Sequence, residues 1–259
     1  MRSHDNFRRF AGTLVLATGC AIAAEDVPFV VTPDNVTLAM LELAKVGPTD
    51  YVIDLGSGDG RIVILAAKRF GARGLGIEIV PKLITDSREN ARRAGVADRA
   101  EFREQDLFTT PLRIATVITM YLLPDVNLEL RPKILQLEPG TRIVSHDWDM
   151  GSWKPDRTLV LDVPDKPIGL EKKSRVHLWI VPAQVAGTWC GGGQRLEIEQ
   201  EYQSVKVNGE RGHVDGATVR VGYGLSLRYD GGKLVTTEAS GAYAPMGKIA
   251  FERTRGACS

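Results

Sequence analysis

Between residues 50 and 182 the apolar positions follow two rhythms that take turns. Short β-rich runs, "YVIDL" (51–55), "RGLGIEI" (73–79), "AEFREQ" (100–105), "TVITMYLL" (116–123) and "TRIVSHDW" (141–148), read as strands. Between them, residues 60–70, 81–94 and 125–136 carry apolar residues at helical spacing, and Gly95 closes the second of these helices. A further helix is expected over 32–46, where Val36, Met40 and Leu43 share one face, Thr32 serves as N-cap and Pro33 takes the first helical position. Strands alternating with helices of this length predict a parallel, doubly wound α/β sheet. Two later runs, "RTLVLDV" (157–163) and "VHLWIVP" (176–182), are joined by "PDKPIGLEKK" with no helical period, which suits an antiparallel pair at the sheet's end.

Near residue 185 the rhythm changes. Residues 186–259 hold 14 of the 27 glycines, and the helical period disappears. "QRLEIEQEYQSVKV", "ATVRVGYGLSLRY" and "GKIAFER" alternate strictly, with turn signals at 207–210 and 230–232. The pattern predicts a separate antiparallel β domain of five to seven strands over 186–259, a small barrel or a sandwich. The preceding α/β domain spans 25–183.

Charge and cysteines add limits. The net charge is +1; the first 24 residues contribute +2, so the remainder carries −1. A chain this close to neutral has no overall electrostatic footprint for nucleic acid. "MRSHDNFRRF" is basic, "AGTLVLATGCAIAA" is apolar and small, and Ala21-Ile22-Ala23 fits a signal-peptide cleavage site. Residues 1–24 are therefore expected to be a cleaved secretory signal peptide, placing the mature chain in the periplasm or outside the cell. A membrane-associated tail is the rival, although the apolar run is short for a bilayer span. Removing the segment leaves Cys190 and Cys258, an even pair that suits one disulfide in an oxidising compartment. In a closed sheet the first and last strands are neighbours, so these two cysteines could meet. There is no CxxC and no HExxH, and four histidines in all, so no dedicated metal site is expected.

Candidate chemistry centres on "VIDLGSGDGRIV" (52–63), where Gly56, Gly58 and Gly60 follow a predicted strand directly. Glycines at a strand-to-helix turn allow unusual backbone angles and close ligand approach. A dinucleotide site of the G-x-G-x-x-G type would place its third glycine at 61, where Arg61 stands, and the P-loop spacing is absent too.

"DLGSGDGR" resembles motif I of the class I, seven-stranded, S-adenosylmethionine-dependent methyltransferases, which have a Rossmann-like sheet. Glu78 ends the second strand 24 residues after Asp54, where that family places a carboxylate for the ribose hydroxyls; Asp106 follows the third strand, where it places an acid near the adenine amino group. The order of elements agrees over about 32–182. The extended "DLGSGDGRIVILAA" and "YLLP" are similar to the branch containing the mitochondrial lysine methyltransferases of the ATP-synthase c-subunit and their prokaryotic relatives.

The resemblance implies S-adenosylmethionine as cofactor, bound by Asp54, Gly56, Ser57, Gly58, Gly60, Glu78 and Asp106, with Asp59 either in the site or capping the next helix. It implies methyl transfer to an acceptor, with a protein lysine favoured over a small molecule or lipid. In-line placement does most of the work, because the sulfonium is already a good leaving group. A lysine must shed its proton, and a dry aromatic site assists. Tyr121 with Leu122, Leu123 and Pro124, then His146, Asp147, Trp148 and Trp153, lie after the strands that face the acceptor; Tyr121, Pro124, His146 and Trp148 are the catalytic candidates, His146 as a proton acceptor. Arg88, Arg92 and Arg93 read as a solvated helix face. A rival class is an exported, catalytically silent binding module, since the cofactor is made in the cytosol; the intact loop with Glu78 and Asp106 argues against decay.

Overall fold

The computed structural model describes residues 30–166, 171–256 and 258. The expected signal segment and Cys20 lie outside the described residues, as do residues 167–170 of the "PDKPIGLEKK" connection. Helix α1 (Asp34–Leu43) leads into β1 (Tyr51–Leu55), α2 (Arg61–Phe70), β2 (Arg73–Glu78), α3 (Pro81–Ala94), β3 (Ala100–Glu104), β4 (Val117–Met120), α4 (Pro124–Ile134) and β5 (Arg142–His146). Strands β6 (Arg157–Asp162) and β7 (Lys173–Ile180) complete a seven-stranded sheet of order β3-β2-β1-β4-β5-β7-β6. The first five strands are parallel; β7 runs antiparallel to both β5 and β6.

Strand residues alternate between two buried faces, which is why the parallel strands read as nearly continuous apolar runs. Ile53, Leu55, Ile77, Ile118, Met120 and Ile143 pack with Leu130 and Ile134 of α4 on one face. Val52, Val117, Val144 and Val176 pack with Val36 and Met40 of α1 and Ala66 of α2 on the other. Strand order reverses between β1 and β4, so a crevice opens at their carboxyl ends.

Helix starts differ from the sequence expectation by a residue or two: α2 begins at Arg61 and α4 at Pro124. Helix α1 begins at Asp34 with Pro33 as its N-cap residue, so the cap lies one residue beyond Thr32. Thr32 is buried, and its carbonyl accepts a hydrogen bond from the Arg61 guanidinium. "TVITMYLL" is strand only over Val117–Met120, because Tyr121–Leu123 leave the sheet at its carboxyl edge.

Residues 187–254 form a closed eight-stranded antiparallel barrel, β8 (Gly187–Gly191), β9 (Gln194–Glu201), β10 (Ser204–Val207), β11 (Glu210–Asp215), β12 (Thr218–Val221), β13 (Leu225–Asp230), β14 (Lys233–Ala239) and β15 (Ala250–Thr254). The expectation of five to seven strands is corrected to eight. "QRLEIEQEYQSVKV" is a hairpin turning at Tyr202 (φ 53°), and "ATVRVGYGLSLRY" is another turning through Gly222–Gly224. These two runs each conceal a tight turn. Trp189, Leu196, Val219, Leu227, Leu234 and Phe251 fill the interior. Strand β15 pairs with β8, and the Cys190–Cys258 disulfide forms beside this seam with a Cα–Cα separation of 5.5 Å.

The barrel seats on the amino end of the parallel strands. The Ala183 N–H donates to Gly216 O, and Gly216 lies against Gly140 just before β5. Gln203 Nε2 donates to Lys154 O, and Tyr202 stacks on Trp153 at 6.0 Å.

Candidate functional site

Three loop glycines turn the chain from β1 into α2. Gly56, Gly58 and Gly60 have φ of 74°, 53° and 83°, the left-handed region that L side chains rarely adopt. A Cβ at Gly60 would stand 2.6 Å from the Phe102 ring and 2.9 Å from Ser87 Cβ. The loop's N–H groups are mostly spent on β2: Gly56 and Ser57 donate to Ile77 O, and Gly58 donates to Glu78 Oε2. Gly60 donates to Ser57 O. The loop therefore offers close backbone approach more than a cradle of donors, which suits a ligand without phosphates. The Ser57 hydroxyl is buried beneath the loop, within 2.6 Å of where a Gly76 Cβ would be, and has no hydrogen-bond partner among the described residues.

Glu78 ends β2 with its carboxylate nearly buried. Oε1 accepts from the Ile79 and Val80 N–H groups at 2.8 and 3.0 Å, and Oε2 accepts from Gly58 at 3.0 Å. A carboxylate has about four acceptor sites. Three are filled, so one remains on Oε2 for a ligand hydroxyl.

Asp54 is fully buried beside the loop and accepts from the Thr119 hydroxyl at 2.7 Å. Burial pushes its carboxyl up to about 7; the Thr119 bond opposes this, and the charges of Asp59 and Glu78 reinforce it. Asp59 accepts from the Arg61 N–H and pairs with its guanidinium at 2.6 Å, so it secures the start of α2. Asp106 is exposed past β3, and its Oδ1 accepts from the Phe108 N–H at 2.7 Å.

Across the crevice, β4 and β5 deliver the second group of candidates. Tyr121 is half-buried, and its ring centroid lies 4.0 Å from that of His146. Burial, then the Asp147 charge, raise the Tyr121 hydroxyl above the usual tyrosine range. His146 is buried behind Tyr121, with Nε2 held 2.9 Å from Ser174 Oγ. Burial draws its imidazole down to about 4, so it is neutral at ordinary pH and a weak base. Pro124 occupies the first position of α4. Trp148 is 44 % exposed at the crevice mouth; Leu123, the N-cap of α4, and Leu128 within that helix are exposed too. Trp153 is not with them: it is fully buried against Trp179 in the core. Arg92 and Arg93 pair with Glu89 on the surface, whereas Arg88 reaches inward to Phe102 O.

One residue here carried no sequence signal. Asn127 of α4 is completely buried, and its Nδ2 reaches Ser145 Oγ and the carbonyls of Trp148 and Asp149 at 3.3–3.4 Å. A cleft of about 330 Å³ lies elsewhere, at the domain junction between Asp156, Gln203 and His213. Among the described residues no group of three His, Cys, Asp or Glu side chains is arranged to hold a metal, and no helix is long and apolar enough to cross a membrane.

Comparison with known proteins agrees with this geometry. The family profile of the ANTKMT methyltransferase domain matches residues 54–157. A protein-lysine N-methyltransferase of Saccharolobus islandicus is 43 % identical over 138 residues, 52 % of this chain and 86 % of that protein. The lysine N-methyltransferase of the ATP-synthase c-subunit from Mus musculus is 38 % identical over 108 residues, and there the match spans 41 % of this chain and 43 % of the mouse protein. An RNA methyltransferase from Salinibacter ruber, solved with S-adenosyl-L-homocysteine, is 53 % identical with a TM-score of 0.55, covering 60 % of this chain and 96 % of its own. The chain thus belongs to the S-adenosylmethionine-dependent methyltransferases, and among them it resembles the protein-lysine N-methyltransferases.

Proposed function

We propose that the enzyme methylates a lysine side chain of a protein. The observation that carries this reading is the Saccharolobus protein-lysine relative, of which the chain spans 86 %. The acceptor side of the crevice supports it: Asp125 and Asp149 are exposed, each close in the chain to an exposed apolar residue, Leu123 and Trp148. Acids beside apolar surface suit a cationic side chain and repel a phosphate backbone. RNA is the second reading, favoured by the Salinibacter relative. Transfer of labelled methyl groups to protein and RNA fractions, followed by hydrolysis, tests both. Methyl-lysine is the expected product; label confined to nucleosides would overturn the lysine assignment.

In this reading Glu78 accepts from a ribose hydroxyl, the Gly56–Gly60 loop lets the cofactor approach, and Asp106 faces the adenine. Asp54 lies near enough to the loop to sense the cofactor's positive charge. Tyr121 and Trp148 wall the path of the lysine and exclude water, which favours the neutral amine. Pro124 fixes the start of α4 beside them. His146 supports Tyr121 from behind; its ring is buried, with Nε2 at Ser174 and Nδ1 without a partner among the described residues, and burial makes it a weak base for the proton-acceptor role expected of it.

A pH dependence follows from Asp54. Its folded value of about 7 lies above the ordinary 3.8, so its contribution to stability is fully present below about pH 4 and is lost as pH rises through about 7. A bound cation favours the carboxylate, so cofactor binding should expel a proton. Binding is expected to be about tenfold tighter at pH 8 than at pH 6. Calorimetry in buffers of different ionisation enthalpy measures the released proton, and Asp54→Asn should abolish both effects. A flat affinity profile in the parent would refute the coupling.

We also propose export. Residues 1–24 have the pattern of a signal peptide, and the Cys190–Cys258 bond suits an oxidising compartment. N-terminal sequencing of protein from the periplasm or culture fluid should begin near Ala24 or Glu25. An intact Met1 on cytosolic protein would sink this.

A further inference from the structure

The turn after β5 is held far more firmly than its exposure requires. Asp147 sits at φ 63°, bonded to Arg175 in both directions at 2.7 and 2.9 Å. The Trp148 N–H donates to His146 O at 2.8 Å. The Trp148 carbonyl accepts from Ser145 Oγ at 2.6 Å and from Asn127 Nδ2 at 3.3 Å. Asn127 shares its two donors among three acceptors, the third being Asp149 O at 3.4 Å. One turn further along α4, Arg131 donates to Met150 O at 2.7 Å.

This arrangement has a cost. The Asn127 amide is fully buried, and its Oδ1 has no partner among the described residues. A leucine would fill such a position without stranding an acceptor. Two of its three acceptors are carbonyls of the turn, one of them on a residue whose large indole remains 44 % exposed, so these bonds add little core packing. What they fix is the backbone that carries that indole.

We propose that Asn127 is a positioning residue for the methyl-transfer reaction: with Ser145 it clamps the Trp148 carbonyl, so that the Trp148 indole is preset as a wall for the incoming acceptor. The proposal rests on the reading of the crevice mouth as the lysine entrance. Its effect is transmitted through Trp148, so Asn127→Ala should act on acceptor binding and leave cofactor affinity alone.

Two measurements on the full chain test this. Trp153, Trp179 and Trp189 are fully buried, so acrylamide quenching of tryptophan fluorescence reads Trp148. Asn127→Ala should change that quenching, and Ser145→Ala should change it in the same direction. The second measurement is methyl transfer to a synthetic peptide with one lysine between leucines, chosen to match the apolar mouth. Asn127→Ala should raise KM about 2- to 10-fold, the range of one neutral hydrogen bond, with kcat nearly constant. Combined with Trp148→Ala it should add nothing further, because the two share one pathway. Full additivity with Trp148→Ala would overturn the proposal. So would a folded Asn127→Ala variant with parental quenching and parental KM. If Asn127→Ala does not fold, Ser145→Ala, which breaks the other bond to the same carbonyl, decides by the same criteria. If the parent enzyme ignores the peptide, the lysine reading fails for that probe, and quenching still decides whether Asn127 sets Trp148.

Discussion

Glu78→Ala is expected to weaken S-adenosylmethionine binding by roughly 10- to 150-fold from the lost ribose contact alone, equivalent to about 1.5–3 kcal/mol for a charge-assisted hydrogen bond. The full loss should be larger. The same carboxylate holds the N–H groups of Gly58, Ile79 and Val80. Ile79 and Val80 are exposed, so water can replace the carboxylate there. Gly58 is buried, and its N–H would be stranded in a turn that needs positive φ at three glycines. The substitution thus removes a ligand contact and loosens the loop the ligand must approach. Glu78→Gln should fall between parent and alanine, since its amide keeps one acceptor oxygen and turns a donor toward another donor. Calorimetry with S-adenosylmethionine and with S-adenosylhomocysteine separates the ribose from the sulfonium. Both ligands carry the ribose and should weaken alike. Unchanged affinity for both would remove Glu78 from the site.

The second large effect concerns the barrel. Breaking the Cys190–Cys258 bond should destabilise that domain by roughly 3–5 kcal/mol in the chain-entropy model, because the bond closes a loop spanning 68 positions. It joins β8 to the residues after β15, where the barrel seam closes. Reduction, or Cys190→Ser with Cys258→Ser, should move the barrel's unfolding to lower temperature. Cofactor affinity should not change, since the bond lies in the other domain. Two free thiols in a non-reduced digest of protein from an oxidising compartment would contradict the bridge. An unmoved transition in the double variant would show that hydrogen bonding along the seam suffices.

Much of the α/β unit was legible because its spacing is set by local geometry. One β-α-β repeat fixes the distance from Asp54 to Glu78, so glycines and acid announce each other in sequence. Gly95 and Pro81 mark both ends of α3 by their backbone preferences alone. The strand count of the barrel was less legible, since alternation continues through a two-residue turn such as Tyr202-Gln203 without a glycine to mark it. The site was legible in its polar corners and not in its depth. Residue type could not say that Trp148 stays exposed while Trp153, five positions on, is buried in the core. Nor could it say that His146 turns its ring away from solvent toward Tyr121 and Ser174. Asn127 escaped notice altogether, because an asparagine within an amphipathic helix has meaning only through the turn it meets across space.

The seating of the barrel settles which way the enzyme faces. Gly216 rests against Gly140 at the base of the sheet, while the glycine loop and Trp148 open at its opposite pole. Any surface that grips the barrel's outer wall would hold the enzyme from behind, with its mouth pointing outward. Acceptors would then arrive from the free side and need not compete with the anchor for space. Sequence drift on the barrel's outer wall could redirect where the enzyme is stationed while leaving the reaction it performs untouched.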